Sequence, residues 1–130
     1  MIAGERLFDI RRDGEVVIAT PTSDLRELEY ERISREAEDV LALLGEAGGG
    51  ARSVVLDLRR TDVYGSTALG FFATLWKRVR DRGGRMALCN VSDHELRILQ
   101  ATKLDTVWPI CPTLDEALRT VRSEPTAQHP

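Results

Sequence analysis

Cysteine and histidine are scarce in this chain: two of each in 130 residues, and the scarcity removes several chemistries at once. Cys89 and Cys111 have neither a CxxC spacing nor histidines clustered near them, so they are expected to be buried free thiols that pack as small hydrophobes. His94 falls just inside a predicted helix and His129 in the C-terminal segment, and the two form no triad, base pair or metal pair. Asp57 has no second acid in sequence reach, which suits a strand-end carboxylate bonded to backbone better than a catalytic one. The run Gly48, Gly49, Gly50 lacks the Gly-Lys-Ser/Thr ending of a phosphate-binding loop. No stretch approaches the roughly 18 apolar residues of a membrane helix, and Met1 to Arg6 hold no apolar core of a secretory signal. These absences lead us to expect a cytoplasmic protein that is not an enzyme, with no cofactor, no metal and no membrane insertion.

Charge narrows the partners. Net charge is −3 and the pI about 5.4, so the totals draw the chain neither to nucleic acid nor to an anionic membrane surface. The basic residues between Lys77 and Arg85 lack interleaved aromatics and close a helix, where cations suit the dipole. Protein partners are the expectation.

What is present is regular. With 42% hydrophobic residues and no shift of composition, the chain suits one compact domain over residues 1–122, with residues 123–130 as a frayed tail. Asp13-Gly14 between Phe8 to Arg12 and Glu15 to Thr20 predicts a β-hairpin. From Asp24 to Glu46, Leu25, Leu28, Ile33, Ala37, Val40, Leu41 and Leu44 follow helical spacing, and Glu27, Glu29, Glu31, Arg35, Glu36 and Asp39 fill a solvated face. Ser53 to Leu58 reads as an interior strand covered on both faces. Leu69, Phe72, Trp76 and Val79 mark a helix over about Thr67 to Arg82, stopped by Gly83-Gly84. Phe71 and Leu75 sit off that stripe, and are an exposed patch unless that side also packs on a helix. Arg85 to Val91 predicts a strand. Ser92 with Glu95 caps a helix reaching about Ala101, Thr106 to Ile110 predicts a last short strand, and Thr113 with Glu116 caps a terminal helix. The order predicts an α/β domain: a mixed, mostly parallel sheet of about five strands with an N-terminal antiparallel hairpin, and about four helices.

The turn between the interior strand and the second helix reads Asp62, Val63, Tyr64, Gly65, Ser66, Thr67, Ala68, Leu69, Gly70. It puts two hydroxyls at the first turn of a helix, where unpaired amides and the macrodipole stabilise negative charge. Hydroxyls there are more often simple caps worth about 1 kcal/mol.

This segment resembles the signature of STAS domains, the anti-sigma factor antagonist family, in which an Asp-Ser-Ser/Thr-Gly/Ala-Leu-Gly stretch carries the phosphorylated hydroxyl. Gly83 to Ser92, Leu104 with Val107 to Ile110, and Asp115 to Leu118 are similar to the family's later strands and last helix. The resemblance implies a regulatory module that binds a GHKL-type anti-sigma serine/threonine kinase and is switched by phosphorylation, with Thr67 as acceptor and Ser66 as second choice. It implies a partner-binding face of Asp62, Tyr64, Gly65, Ser66, Thr67, Ala68, Leu69, Gly70 and Phe71. The family's leading Asp is here Gly65, and Asp62 is the nearest carboxylate to replace it. The alternative is a docking subunit that is not phosphorylated, such as a partner of a lipid-transport ABC ATPase or part of a signalling scaffold.

Overall fold

A computed structural model describes residues 7–22, 30–44, 51–62 and 65–122. Strand β1 (Phe8–Asp13) turns into β2 (Val16–Pro21) through the two-residue loop Gly14-Glu15. Gly14 has φ 64, the left-handed backbone that such a tight turn requires and that glycine adopts without strain. Helix α1 (Tyr30–Leu43) leads to β3 (Ser53–Asp57), α2 (Ser66–Asp81) to β4 (Met86–Cys89), α3 (Asp93–Ala101) to β5 (Ile110–Cys111), and α4 (Leu114–Arg122) closes the described chain. The predicted starts and stops at Asp24 and at Gly48 to Gly50, the residue Tyr64 and the tail lie outside the described residues.

The five strands lie side by side in chain order, β1 antiparallel to β2 and every later pair parallel. Because each parallel crossover uses a helix, both faces of the centre are covered, and every residue of β3 is buried. On one face, Ile33, Ala37 and Val40 of α1 and Phe72, Leu75 and Val79 of α2 pack on Val54, Leu56 and Leu88. On the other, Ala117 and Val121 of α4 pack on Val16, Ile18, Val55, Ala87 and Cys89. Strand alternation divides β3 and β4 between these two cores, so a slip of one residue would exchange them.

Three expectations change. The last strand is not Thr106 to Ile110: Leu104–Thr106 is a 3₁₀ turn and the strand is Ile110–Cys111. Lys103, at φ 65, reverses the chain; the amides of Val107 and Trp108 donate to Leu104 O at 3.0 and 2.9 Å. Their donors are therefore satisfied locally, and Pro109 has none to offer a ladder. Only its carbonyl joins, accepting from Leu88 N at 2.9 Å. Phe71 and Leu75 are core rather than patch, since α1 packs against that side of α2 and the Phe71 ring meets Phe8 edge-on at 5.3 Å. Glu36, read as part of a solvated face, accepts hydrogen bonds from Leu7 N at 3.0 Å and Phe8 N at 3.1 Å, anchoring the start of β1 to α1.

Of the two tryptophans, Trp108 is buried against Phe72, whereas Trp76 is half-buried with the Arg80 guanidinium 4.5 Å above its ring. At the α2–β4 link, Gly83 has φ 78, and a Cβ on Gly84 would overlap the Arg52 carbonyl oxygen. The predicted glycine stop thus permits a backbone approach that no other residue allows.

Candidate functional site

The site begins where β3 ends. Leu58 N donates to Cys89 O at 3.0 Å, carrying the ladder one residue past the strand. The preceding Asp57 is wholly buried. Its Oδ1 accepts from Asn90 Nδ2 at 2.9 Å and from Arg59 N at 3.3 Å. Its Oδ2 lies 3.2 Å from Arg59 Nε but accepts no hydrogen bond of good geometry, so the ion pair alone offsets the burial of that oxygen. Asn90 itself stands at φ 57, a left-handed conformation that asparagine tolerates better than most residues. The bland expectation for Asp57, a carboxylate bonded to backbone, is met in part; the side chains of Asn90 and Arg59 join it.

Beyond Asp57 the chain turns back, Thr61 N donating to Leu58 O at 3.1 Å, and Asp62 emerges exposed. The Asp62 carbonyl accepts from Ser92 Oγ at 3.4 Å, and the same Ser92 oxygen caps α3 by accepting from Glu95 N at 3.3 Å. The loop leading to α2 therefore leans on the loop leading to α3. Sequence reasoning identified Ser92 as a cap but not as this bridge, because nothing local in the sequence joins positions thirty residues apart.

Gly65 occupies the N-cap of α2 in extended backbone, with no side chain to satisfy the first amides. The helix opens with Leu69 N donating to Gly65 O at 3.1 Å, and its first turn contains no acidic residue. An α-helix of sixteen residues thus presents its positive end without a neutralising carboxylate in that turn. Ser66 and Gly70 are exposed, Gly65, Thr67 and Leu69 are half-buried, and Ala68 and Phe71 are buried. A Cβ placed on Gly70 would meet nothing within 4 Å. Thr67 and Phe71 line a groove of about 240 Å³ between α2 and α1, whose far wall includes Ser34, Glu38 and Leu41. That wall escaped sequence reasoning, which put Leu41 on the apolar stripe of the helix and placed none of the three beside Thr67.

Elsewhere, His94 is exposed with Nε2 3.8 Å from Glu95. Among the described residues no group of histidine, cysteine and carboxylate side chains converges as a metal site. Cys89 and Cys111 are both free thiols. Burial, and then the neighbouring Asp57 carboxylate, push the Cys89 thiol up to about 12.

The family model of the STAS domain matches residues 8–117. The chain belongs to the STAS domain family. Solved STAS structures superpose on it closely. An anti-sigma-factor antagonist (STAS) domain protein from Planctomyces limnophilus is 30% identical over 89% of this chain and 98% of its own, with a TM-score of 0.74. An anti-sigma factor antagonist from Mycobacterium paratuberculosis is 21% identical over 89% of this chain and 93% of its own, at 0.74. The phosphorylated form of SpoIIAA, a Bacillus cell fate determinant, is 19% identical over 88% and 99%, at 0.63. The last two show the shared STAS fold only. No curated protein matches the sequence. No helix among the described residues is long and apolar enough to cross a membrane.

Proposed function

We propose that this STAS domain is a cytoplasmic anti-sigma factor antagonist, a non-enzymatic regulator of transcription that binds a GHKL-type anti-sigma serine/threonine kinase and is released by phosphorylation. The observation that carries the reading is the α2 N-terminus: two adjacent hydroxyls, Ser66 and Thr67, at a helix end whose cap is a glycine and whose first turn has no acid. The proposed face runs from Asp62 through Tyr64 and Gly65 to Gly70, with the mouth of the α1–α2 groove, where Phe71 contributes a wall rather than an exposed ring.

A phosphate added here carries about −1.5 to −2 charges. The amides of the first turn and the helix dipole stabilise it, so the fold survives, while a partner surface shaped for neutral hydroxyls is repelled. The switch is local and electrostatic. The family motif favours Thr67 as acceptor, whereas exposure favours Ser66, and the proposal covers the pair. Incubation with an anti-sigma kinase and labelled ATP tests it. Label that disappears in Thr67→Ala or in Ser66→Ala identifies the acceptor and supports the switch.

A second reading rests on Gly65. Replacing the family's Asp removes a carboxylate from the acceptor's side, which favours a docking subunit of a transporter ATPase or signalling scaffold that is not phosphorylated. Stable complexes with such a partner and no label from any anti-sigma kinase would establish this reading and overturn the first.

A further inference from the structure

Asp57, Cys89 and Cys111 form one row across the sheet. Asp57 is the register partner of Cys89 in the β3–β4 pair, and Cys89 is the register partner of Cys111 in the β4–β5 pair. Register partners on parallel strands point to the same face, and both cysteines belong to the core beneath α4. Neighbouring strands are about 4.8 Å apart, which lies inside the Cα separation a disulfide accepts. The strand that would adjust is β5, an edge strand of two residues.

The two thiols differ in access. Cys89 is wholly buried, beside its register partner Asp57. Cys111 is half-buried and lines an open pocket of about 430 Å³ with Asn90, Leu96, Asp105 and Pro112. Its Sγ lies 3.5 Å from Thr120 Oγ1, whose own proton goes to Glu116 O at 2.9 Å, so the thiol donates to the hydroxyl.

We propose that Cys111 and Cys89 form a peroxide-oxidisable pair, Cys111, the more exposed of the two, reacting first and Cys89 resolving it to a cross-strand disulfide. In the first step the Cys111 thiolate attacks hydrogen peroxide. An S–O bond forms, the O–O bond breaks, and the departing hydroxide takes a proton to become water, leaving a sulfenic acid. In the second, Cys89 gives its proton to Asp57 and its sulfur attacks Cys111 Sγ. The S–S bond forms, the S–O bond breaks, and the departing hydroxide collects the proton held by Asp57. In sum, two thiols are oxidised by two electrons, and one peroxide is reduced to two waters. The high thiol pKa of Cys89, set by burial and Asp57, fits this order: it does not compete for peroxide, and it needs a proton acceptor at the moment of attack.

The test is hydrogen peroxide added to the purified full chain, followed by thiol counting, peptide mapping and trapping of sulfenic acid with a cyclic 1,3-diketone. Wild type is expected to lose both thiols and yield a Cys89–Cys111 linked peptide within one chain. Cys89→Ser is expected to stop at a trappable sulfenic acid on Cys111, and Cys111→Ser to keep Cys89 reduced under the same treatment. Asp57→Asn, if its thermal melt shows a folded chain, is expected to accumulate the sulfenic acid with both cysteines present; the two cysteine variants decide the proposal regardless. Two surviving thiols in wild type, a disulfide joining Cys111 of separate chains, or oxidation of Cys89 in Cys111→Ser overturns it.

Discussion

Asn90 donates its side-chain amide to Asp57 Oδ1 across 2.9 Å, joining the carboxyl ends of β4 and β3 at the end of the sheet from which the loop to α2 departs. The bond explains why an asparagine stands at φ 57: the residue must both accept that backbone and reach a buried carboxylate. Asn90→Ala loses the bond and keeps the unfavourable conformation, and is expected to cost about 2 kcal/mol in chemical denaturation. Asn90→Gly relieves the backbone but not the carboxylate, and should fall between Ala and wild type.

Gly84→Ala tests the other close approach. Its Cβ would overlap the Arg52 carbonyl oxygen, backbone that has no rotamer to escape into. A loss of about 1–3 kcal/mol is expected, read as a lowered melting temperature. A melt unchanged from wild type would show that the α2–β4 link yields more easily than the geometry allows.

Gly65→Asp restores a side-chain acceptor at the N-cap of α2. The site's φ of −88 suits any residue, so stability should rise by about 0.3–1 kcal/mol through the cap and the helix dipole. If the missing carboxylate is what a kinase lacks, labelling of the hydroxyl pair rises as well. Stability rising without labelling would favour the scaffold reading.

Ser66→Asp and Gly70→Arg separate docking from folding. Both positions are exposed, and a Gly70 side chain would enter open space. Melting temperatures should stay within about 2–4 °C of wild type, while capture of the kinase partner is lost. Retained capture in both variants would move the docking face elsewhere on the domain.

Alkaline pH should destabilise the fold through Cys89. Unfolded, the thiol ionises near its ordinary 9.0; folded, it holds its proton until about 12, because burial and Asp57 oppose the thiolate. The protonated form is the one the fold prefers. Its contribution is complete below pH 9 and declines as pH climbs from there toward 12. Cys89→Ala removes this part of the slope, measurable by denaturant titration across that range.

How much of this was legible in the sequence follows from the range of each signal. The Asp13-Gly14 hairpin, the Ser92 and Thr113 caps, the Gly83-Gly84 stop and the interior strand at Ser53 were all readable, since each is fixed by neighbours a few residues away. Thr106 and Val107 misled because β-branched residues imitate a strand, and only the left-handed Lys103 and the amides closing on Leu104 reveal the 3₁₀ turn. Phe71 was ambiguous because a helix stripe does not say how many neighbours the helix has. The Glu36 anchor, the Ser92 bridge to Asp62 and the Asp57–Cys89–Cys111 row depend on pairings across 28 or more residues in the first case and on strand order in the last. Local pattern contains neither.

Strand order matching chain order has a temporal consequence. As the protein leaves the ribosome, each strand can join the sheet beside its predecessor without waiting for later sequence, and α1 and α2 cover one face as they appear. The opposite face waits for α4, the final described element. Until that helix arrives, Val16, Ile18, Val55 and Ala87 form a bare apolar plane on an otherwise assembled sheet. A nascent or truncated chain ending before Leu114 is therefore the form most exposed to chaperones, proteases and self-association, and the terminal helix acts as the checkpoint that ends this vulnerable period.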